Sequence, residues 1–96
     1  MSREYRDHRI VIYPIYFDRG ASRKKGRRVP LKIAVNNPTL EKIMEACNRL
    51  GLNPRIEPDK TYPRSFIPKG RIIIDKHGSK LRTIYLIASV LREIEK

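Results

Sequence analysis

The chain has one cysteine, no tryptophan and two histidines in 96 residues. A lone Cys47 allows no internal disulfide, so nothing points to an oxidising compartment and the fold must rest on an apolar core. His8 and His77 lie in polar surroundings, and neither has a cysteine or carboxylate at metal-ligand spacing. No metal or cofactor is expected. The five glycines are scattered, which leaves neither a phosphate loop nor a dinucleotide fingerprint. Long apolar runs are missing too. The longest, around Ile10–Tyr13 and Tyr85–Ala88, fall far short of the roughly 20 residues that span a bilayer. No apolar stretch of signal-peptide length follows MSREYRDHR. The chain therefore reads as soluble and cytoplasmic, without membrane insertion.

Acidic residues are scarce as well: 10 against 22 basic ones, a formal charge of +12. Self-repulsion on that scale destabilises a small fold unless a polyanion screens it, and nucleic acid is the first candidate. The size predicts a single domain over residues 1–96, with residues 1–9 frayed and a monomeric state. A chain this short hides only about two-thirds of the surface it exposes when unfolded, so its core must be simple.

The charge is densest between Asp18 and Pro30, DRGASRKKGRRVP, where Arg19, Arg23, Lys24, Lys25, Arg27 and Arg28 stand among Gly20, Ala21, Ser22 and Gly26. The segment carries almost nothing apolar before Val29, so it is expected to stay disordered until a polyanion orders it. Arginine predominates, which suits two-point bonding to phosphates and guanine edges.

Around this loop the apolar pattern sets out five elements. Ile10–Tyr13 reads as a buried strand closed by Pro14. Ile15, Tyr16 and Phe17 are expected to anchor the base of the basic loop, and Leu31–Asn37 to hold a short helical turn. Asn37-Pro38-Thr39 then starts a helix, with Thr39 or Asn37 as cap. Its stripe is Leu40, Ile43, Met44, Cys47 and Leu50, and Gly51 stands where a left-handed residue closes it. Cys47 is thereby a core residue rather than a nucleophile. Arg55-Ile56-Glu57, between prolines, predicts an edge strand. Residues 59–69, DKTYPRSFIPK, form a second irregular basic segment, and Gly70 opens the strand Arg71–Asp75. The uninterrupted isoleucines of that strand place it centrally, with both faces covered. Ser79 caps the last helix, where Leu81, Ile84, Ala88, Leu91 and Ile94 or Glu95 trace the core stripe, widened by Tyr85, Ile87 and Val90.

The order strand, helix, strand, strand, helix predicts an α+β fold: a three-stranded antiparallel sheet of order 1-3-2 with both helices on one face. Both basic segments then fall on connections, and they are expected to meet at one end of the sheet, Arg27 and Arg64 on the same pole. Lys69-Gly70-Arg71-Ile72 looks like the start of an RNA-recognition-motif strand, but Ile73 and Ile74 replace the stacking aromatics. Contact should come from the loops, with Tyr16, Tyr62 and Phe66 as aromatic candidates. Asp18, Asp59 and Asp75 could gather magnesium for a nuclease, although two of them border basic loops, where a salt bridge or turn is the ordinary role.

The phrases Tyr13-Pro14-x-Tyr16, Ser22-Arg23-x-x-Gly26-Arg27-Arg28-Val29-Pro30, Ala34-Val35-x-Asn37-Pro38, Leu50-Gly51-Leu52 and Lys60-x-Tyr62-Pro63-Arg64, followed by Gly70-Arg71, closely resemble the nineteen-kilodalton subunit family of the signal recognition particle. The likeness runs from about Ile10 to Leu91, with the phrases in the same order. The length, without the lysine-rich tail of animal members, resembles the archaeal form. The resemblance implies a non-catalytic assembly subunit that binds the particle's RNA and clamps the tips of helices six and eight. That prepares the RNA for the signal-sequence-recognising GTPase subunit, an indirect partner together with the translating ribosome. It further implies RNA contact by Arg19, Ser22, Arg23, Lys24, Arg27 and Arg28, with Tyr13 or Tyr16 at the loop's root. Lys60, Tyr62, Arg64 and Lys69 would join them from the second segment and Lys80 from the last helix. A ribosomal or other structural RNA-binding protein, and less readily a small metal-dependent nuclease, are the competing readings.

Overall fold

A computed structural model describes residues 9–61 and 69–95, apart from the side chains of Lys60, Thr61 and Lys69. Strand β1 spans Arg9–Ile12. The expected fraying thus does not reach Arg9, whose guanidinium pairs with Asp75 at 3.0 Å and donates to the Asn53 carbonyl at 2.9 Å. Residues 1–8, His8 among them, lie outside the described residues. Helix α1 covers Leu40–Arg49, β2 Arg55–Thr61, β3 Lys69–Asp75 and α2 Lys80–Glu95. Two short 3-10 turns, Pro14–Phe17 and Leu31–Ile33, lie between β1 and α1.

The sheet order is β1-β3-β2, antiparallel throughout, as the apolar run at 72–74 implies. Ile10 faces Ile74, while Ile12 and Ile56 flank Ile72; these residues share the face that meets the helices. Ile12, Ile72 and Ile74 are fully buried with Phe17, Ile43, Ile84, Ile87 and Leu91. Burying each such side chain stabilises by roughly 1.5–3 kcal/mol. The second face of β3 is also covered at its centre, as expected of a central strand. Ile73 is buried there outside the main core, flanked in register by Val11 and Arg55 rather than covered by a helix.

Helix α1 begins where the sequence supplies a cap: the Thr39 hydroxyl accepts from the Lys42 amide at 3.2 Å. It ends in a paired closure, with the Leu52 amide on the Cys47 carbonyl (2.9 Å) and the Gly51 amide on Asn48 (3.1 Å). Such a closure needs a left-handed residue, and Gly51 supplies it at φ +71°. In α2 the predicted stripe is rotated. Thr83, Ile84, Ile87, Ala88 and Leu91 are buried, whereas Leu81 and Tyr85 turn to solvent. Thr83 sets that rotation. Its hydroxyl accepts from the His77 amide at 2.9 Å and reaches the Ser79 carbonyl at 2.8 Å, tying the helix start to the preceding turn. Among the described residues no helix is long and apolar enough to cross a membrane.

Strand β2 runs past the expected edge strand to Thr61, with a register shift between Glu57 and Thr61 around Pro58. Lys60 and Lys69 therefore belong to paired strands and not to an irregular segment. The hairpin connection narrows to residues 62–68, outside the described residues.

Candidate nucleic-acid interface

The basic loop is folded, contrary to the expectation of disorder. Its base is a clamp between two backbone stretches: the Val35 amide donates to Phe17 and the Arg19 amide to Val35, both at 2.8 Å. The 3-10 turn Pro14–Phe17 beneath it is buried at every residue. On the far side Val29 is fully buried, so the loop is held in the core at both ends. Between these anchors the Ser22 carbonyl accepts from the amides of Lys25 (3.1 Å), Gly26 (3.2 Å) and Arg27 (3.1 Å). Gly26 takes φ +136°, which favours glycine. Arg27 then reaches back across the loop, donating from Nε to Val29 (2.8 Å) and from Nη1 to Ala21 (2.7 Å). What order costs in entropy is thus offset by internal bonds, made with few apolar side chains.

These bonds sort the predicted contact residues. Arg19, Ser22, Arg23, Lys24 and Arg28 are exposed. Arg27 is turned inward and half-buried; it shapes the loop rather than presenting its fork to solvent. Ser22 serves the turn first: its hydroxyl also accepts from the Lys25 amide at 3.2 Å. Tyr16 is 3% exposed, so its ring offers no face for a base to stack on. Its ring supports cations instead. The Arg28 guanidinium lies 4.9 Å from the centroid and the Lys80 ammonium 5.6 Å.

Lys80 opens α2, and Arg28 closes the loop 52 positions earlier in the chain. The two cations share one ring, and among the described residues no carboxylate forms an ion pair with either. The Lys80 pKa is accordingly lowered, first by partial shielding from water and then by the Arg28 charge. A phosphate oxygen placed there would relieve the repulsion and replace the lost hydration.

The aromatic support continues toward the sheet. Tyr13 meets Tyr16 edge to face, centroids 5.7 Å apart, and its hydroxyl accepts from Arg71 Nη1 at 3.2 Å. Arg71 also donates to Glu57 across the β2–β3 pair. Its pKa is raised, chiefly by the Tyr13 bond, so its charge is permanent. Arg71 was absent from the contact residues expected from sequence. Its place opposite the core-facing isoleucines of β3 is the signal that could have found it, given the strand order. Register sets the end of β1 and the start of β3, hence Tyr13 and Lys69, at the same end of the sheet. Tyr62, Arg64 and Phe66 lie outside the described residues, and with them the expectation that Arg27 and Arg64 share a pole.

Two of the three acidic residues considered for magnesium are engaged singly. Asp75 pairs with Arg9, and Asp18 Oδ1 accepts from the Gly20 amide at 2.9 Å. Among the described residues no three His, Cys, Asp or Glu side chains gather at metal-binding distance.

Comparison with known proteins finds relatives along nearly the whole chain. The family model described as SRP19 protein matches residues 11–94. The signal recognition particle 19 kDa protein of Staphylothermus marinus is 48% identical over 96 residues, covering all of both chains. Among solved structures, a crystal structure of SRP19 in complex with the S domain of signal recognition particle RNA superposes with a TM-score of 0.81. It is 40% identical, over 85% of this chain and 95% of that one. The SRP19/S-domain RNA complex of Sulfolobus solfataricus gives a TM-score of 0.81 at 30% identity, over 98% of each chain.

Proposed function

The chain belongs to the SRP19 protein family, and from that membership we propose that it is the RNA-binding assembly subunit of a signal recognition particle. It acts in the cytoplasm as a single domain without catalysis of its own. Its role is to hold the tips of RNA helices six and eight side by side, so that the GTPase subunit can bind the prepared RNA. The observation that carries this reading is the seating of Arg28 and Lys80 over Tyr16, without a carboxylate partner among the described residues. A fold that concentrates cations at one place gains stability only when an anion arrives. Two RNA backbones repel one another as well, and a +12 domain between them offsets that repulsion.

Arg19, Arg23, Lys24 and Arg28 are the loop's direct contacts in this reading, with Lys80 beside them, while Ser22 and Arg27 maintain the turn that presents them. Lys60, Tyr62, Arg64 and Lys69 supply the second contact from the β2–β3 hairpin. Tyr16 acts beneath the surface as the floor of the cation pair, and half-buried Tyr13 stands beside it, bonded to Arg71.

The test is binding to signal recognition particle RNA against the same RNA with both hairpin tips replaced, at several salt concentrations. Neutralising about six to eight phosphates predicts a log–log salt slope of about −4 to −7, with strong preference for intact tips. Equal binding to both RNAs, lost steeply with salt, would reduce the interaction to nonspecific charge attraction and overturn the clamp.

A further inference from the structure

Four large apolar side chains are exposed among the described residues: Leu31, Ile56, Leu81 and Tyr85. Leu81, 54% exposed, and Tyr85, 38% exposed, stand one turn apart on α2. The fold does not require them there, because Thr83, Ile84, Ile87, Ala88 and Leu91 already supply the helix's buried stripe. With Ser79, Arg82, Leu86 and Ser89 they line an open recess of about 680 Å³. Leu81 also borders a smaller recess of about 190 Å³ that it shares with Arg28, Lys80 and Ile84. The apolar strip on α2 thus runs directly into the cation seat above Tyr16. Among the described residues lining the two recesses, Arg28, Lys80 and Arg82 are the charged ones, and all three are positive.

An aromatic ring and a leucine held in water, bordered by cations, match one ligand chemistry closely. Nucleobases stack on rings and apolar walls while their phosphates seek the neighbouring cations. Tyr85 also borders a recess with Arg92 and Glu93 at the far end of the strip, and a protein partner would cover apolar surface too, but the cations at the Leu81 end and their continuity with the phosphate seat favour RNA. We propose that the Leu81–Tyr85 strip is a stacking wall for an unpaired base of the bound RNA, with Lys80 and Arg82 on the adjoining phosphates. This rests on the RNA-binding reading above and extends its surface from the loop onto α2.

The experiment uses the full chain and signal recognition particle RNA, titrated at several salt concentrations. Wild type is compared with Tyr85→Ser, Tyr85→Phe and Arg28→Ala, each shown to be folded by thermal melting. Losing one stacked base weakens binding by about 5- to 150-fold, and Tyr85→Ser should do so without changing the salt slope, because no cation is removed. Tyr85→Phe should bind as wild type does, and ultraviolet irradiation of the complex should cross-link Tyr85 to RNA. Wild-type affinity in Tyr85→Ser, with Arg28→Ala weakened, would overturn the stacking wall and leave the loop reading intact. Wild-type protein that does not distinguish this RNA from one lacking its tips would instead bring down the earlier reading. A Tyr85→Ser protein that binds RNA normally but fails to retain a protein in the reconstituted particle would make the strip a protein-docking face, again overturning the proposal.

Discussion

Arg27 Nη1 donates to the Ala21 carbonyl at 2.7 Å, so this arginine of the basic loop faces the loop itself. With its second bond to Val29, it closes a ring of backbone around Gly26. A loop held in this way presents its neighbours' charges in fixed positions and loses less entropy on meeting RNA than a disordered one.

Arg27→Ala should therefore weaken RNA binding indirectly. Two charge-assisted bonds are lost, each contributing about 1.5–3 kcal/mol at most, and the Lys25–Arg27 amides should exchange with solvent faster. Arg27→Lys should not restore binding, since one ammonium cannot serve two separated carbonyls as the fork does. The salt slope should hardly change, whereas Arg28→Ala should make it shallower by about one. Hydrogen exchange and salt titration together decide the matter: unchanged exchange with a slope reduced by one would make Arg27 a direct phosphate contact.

The Lys80 ammonium predicts a pH dependence. Its pKa in the free protein lies below the ordinary lysine value, from shielding first and Arg28 second. A phosphate in the complex raises it again, so bound protein holds the proton more tightly than free protein. Affinity should fall as pH rises through the lowered value, in a window that starts below that of a normal lysine. Folding runs the other way: the unfolded chain binds this proton more tightly, so stability gains from Lys80 deprotonation as pH rises. Lys80→Arg keeps its charge throughout, and the ratio of wild-type to variant Kd against pH cancels titration of the RNA bases. A flat ratio would remove Lys80 from the contact surface.

Much of the architecture is legible in the chain because burial and backbone chemistry are local. The isoleucines at 72–74 mark the central strand, and Thr39 and Gly51 mark both ends of α1. The rotation of α2 is not legible, because Leu81 and Tyr85 look like core by hydrophobicity. What turns them outward is the Thr83 hydroxyl, satisfied only by the turn at His77 and Ser79. The site shows the same division. Composition locates the basic loop and its exposed cations, yet it cannot tell Arg27 from Arg28. One meets carbonyls of its own loop and the other lies over Tyr16, a distinction set by the fold. The loop's order was also illegible, since it comes from backbone bonds to Ser22 and from the anchor at Val29.

Cys47 is fully buried, and burial pushes its thiol from 9.0 up to about 12. At mildly alkaline pH its thiolate should be about a thousandfold scarcer than in the unfolded chain, with the reagent excluded besides. Alkylation should therefore proceed only through unfolding, its rate rising with denaturant in step with the loss of circular dichroism. Prompt labelling of native protein would place Cys47 outside the core.

Gly70 explains how β3 can lie directly under α1. Its φ is +96°, and a Cβ there would stand 2.5 Å from Leu40 Cδ1, at the first residue of the helix. Gly70→Ala therefore meets two penalties, one from a backbone region closed to L-residues and one from the leucine. Together they should destabilise by about 1–3 kcal/mol, read as a lower urea midpoint. The steric part belongs to the pair, so Leu40→Ala should lessen the cost of Gly70→Ala, and the double variant should be more stable than the sum of the single effects predicts. The backbone part should persist in both backgrounds. Additive effects would mean that conformation alone demands glycine here, and that the packing of the helix on the strand does not.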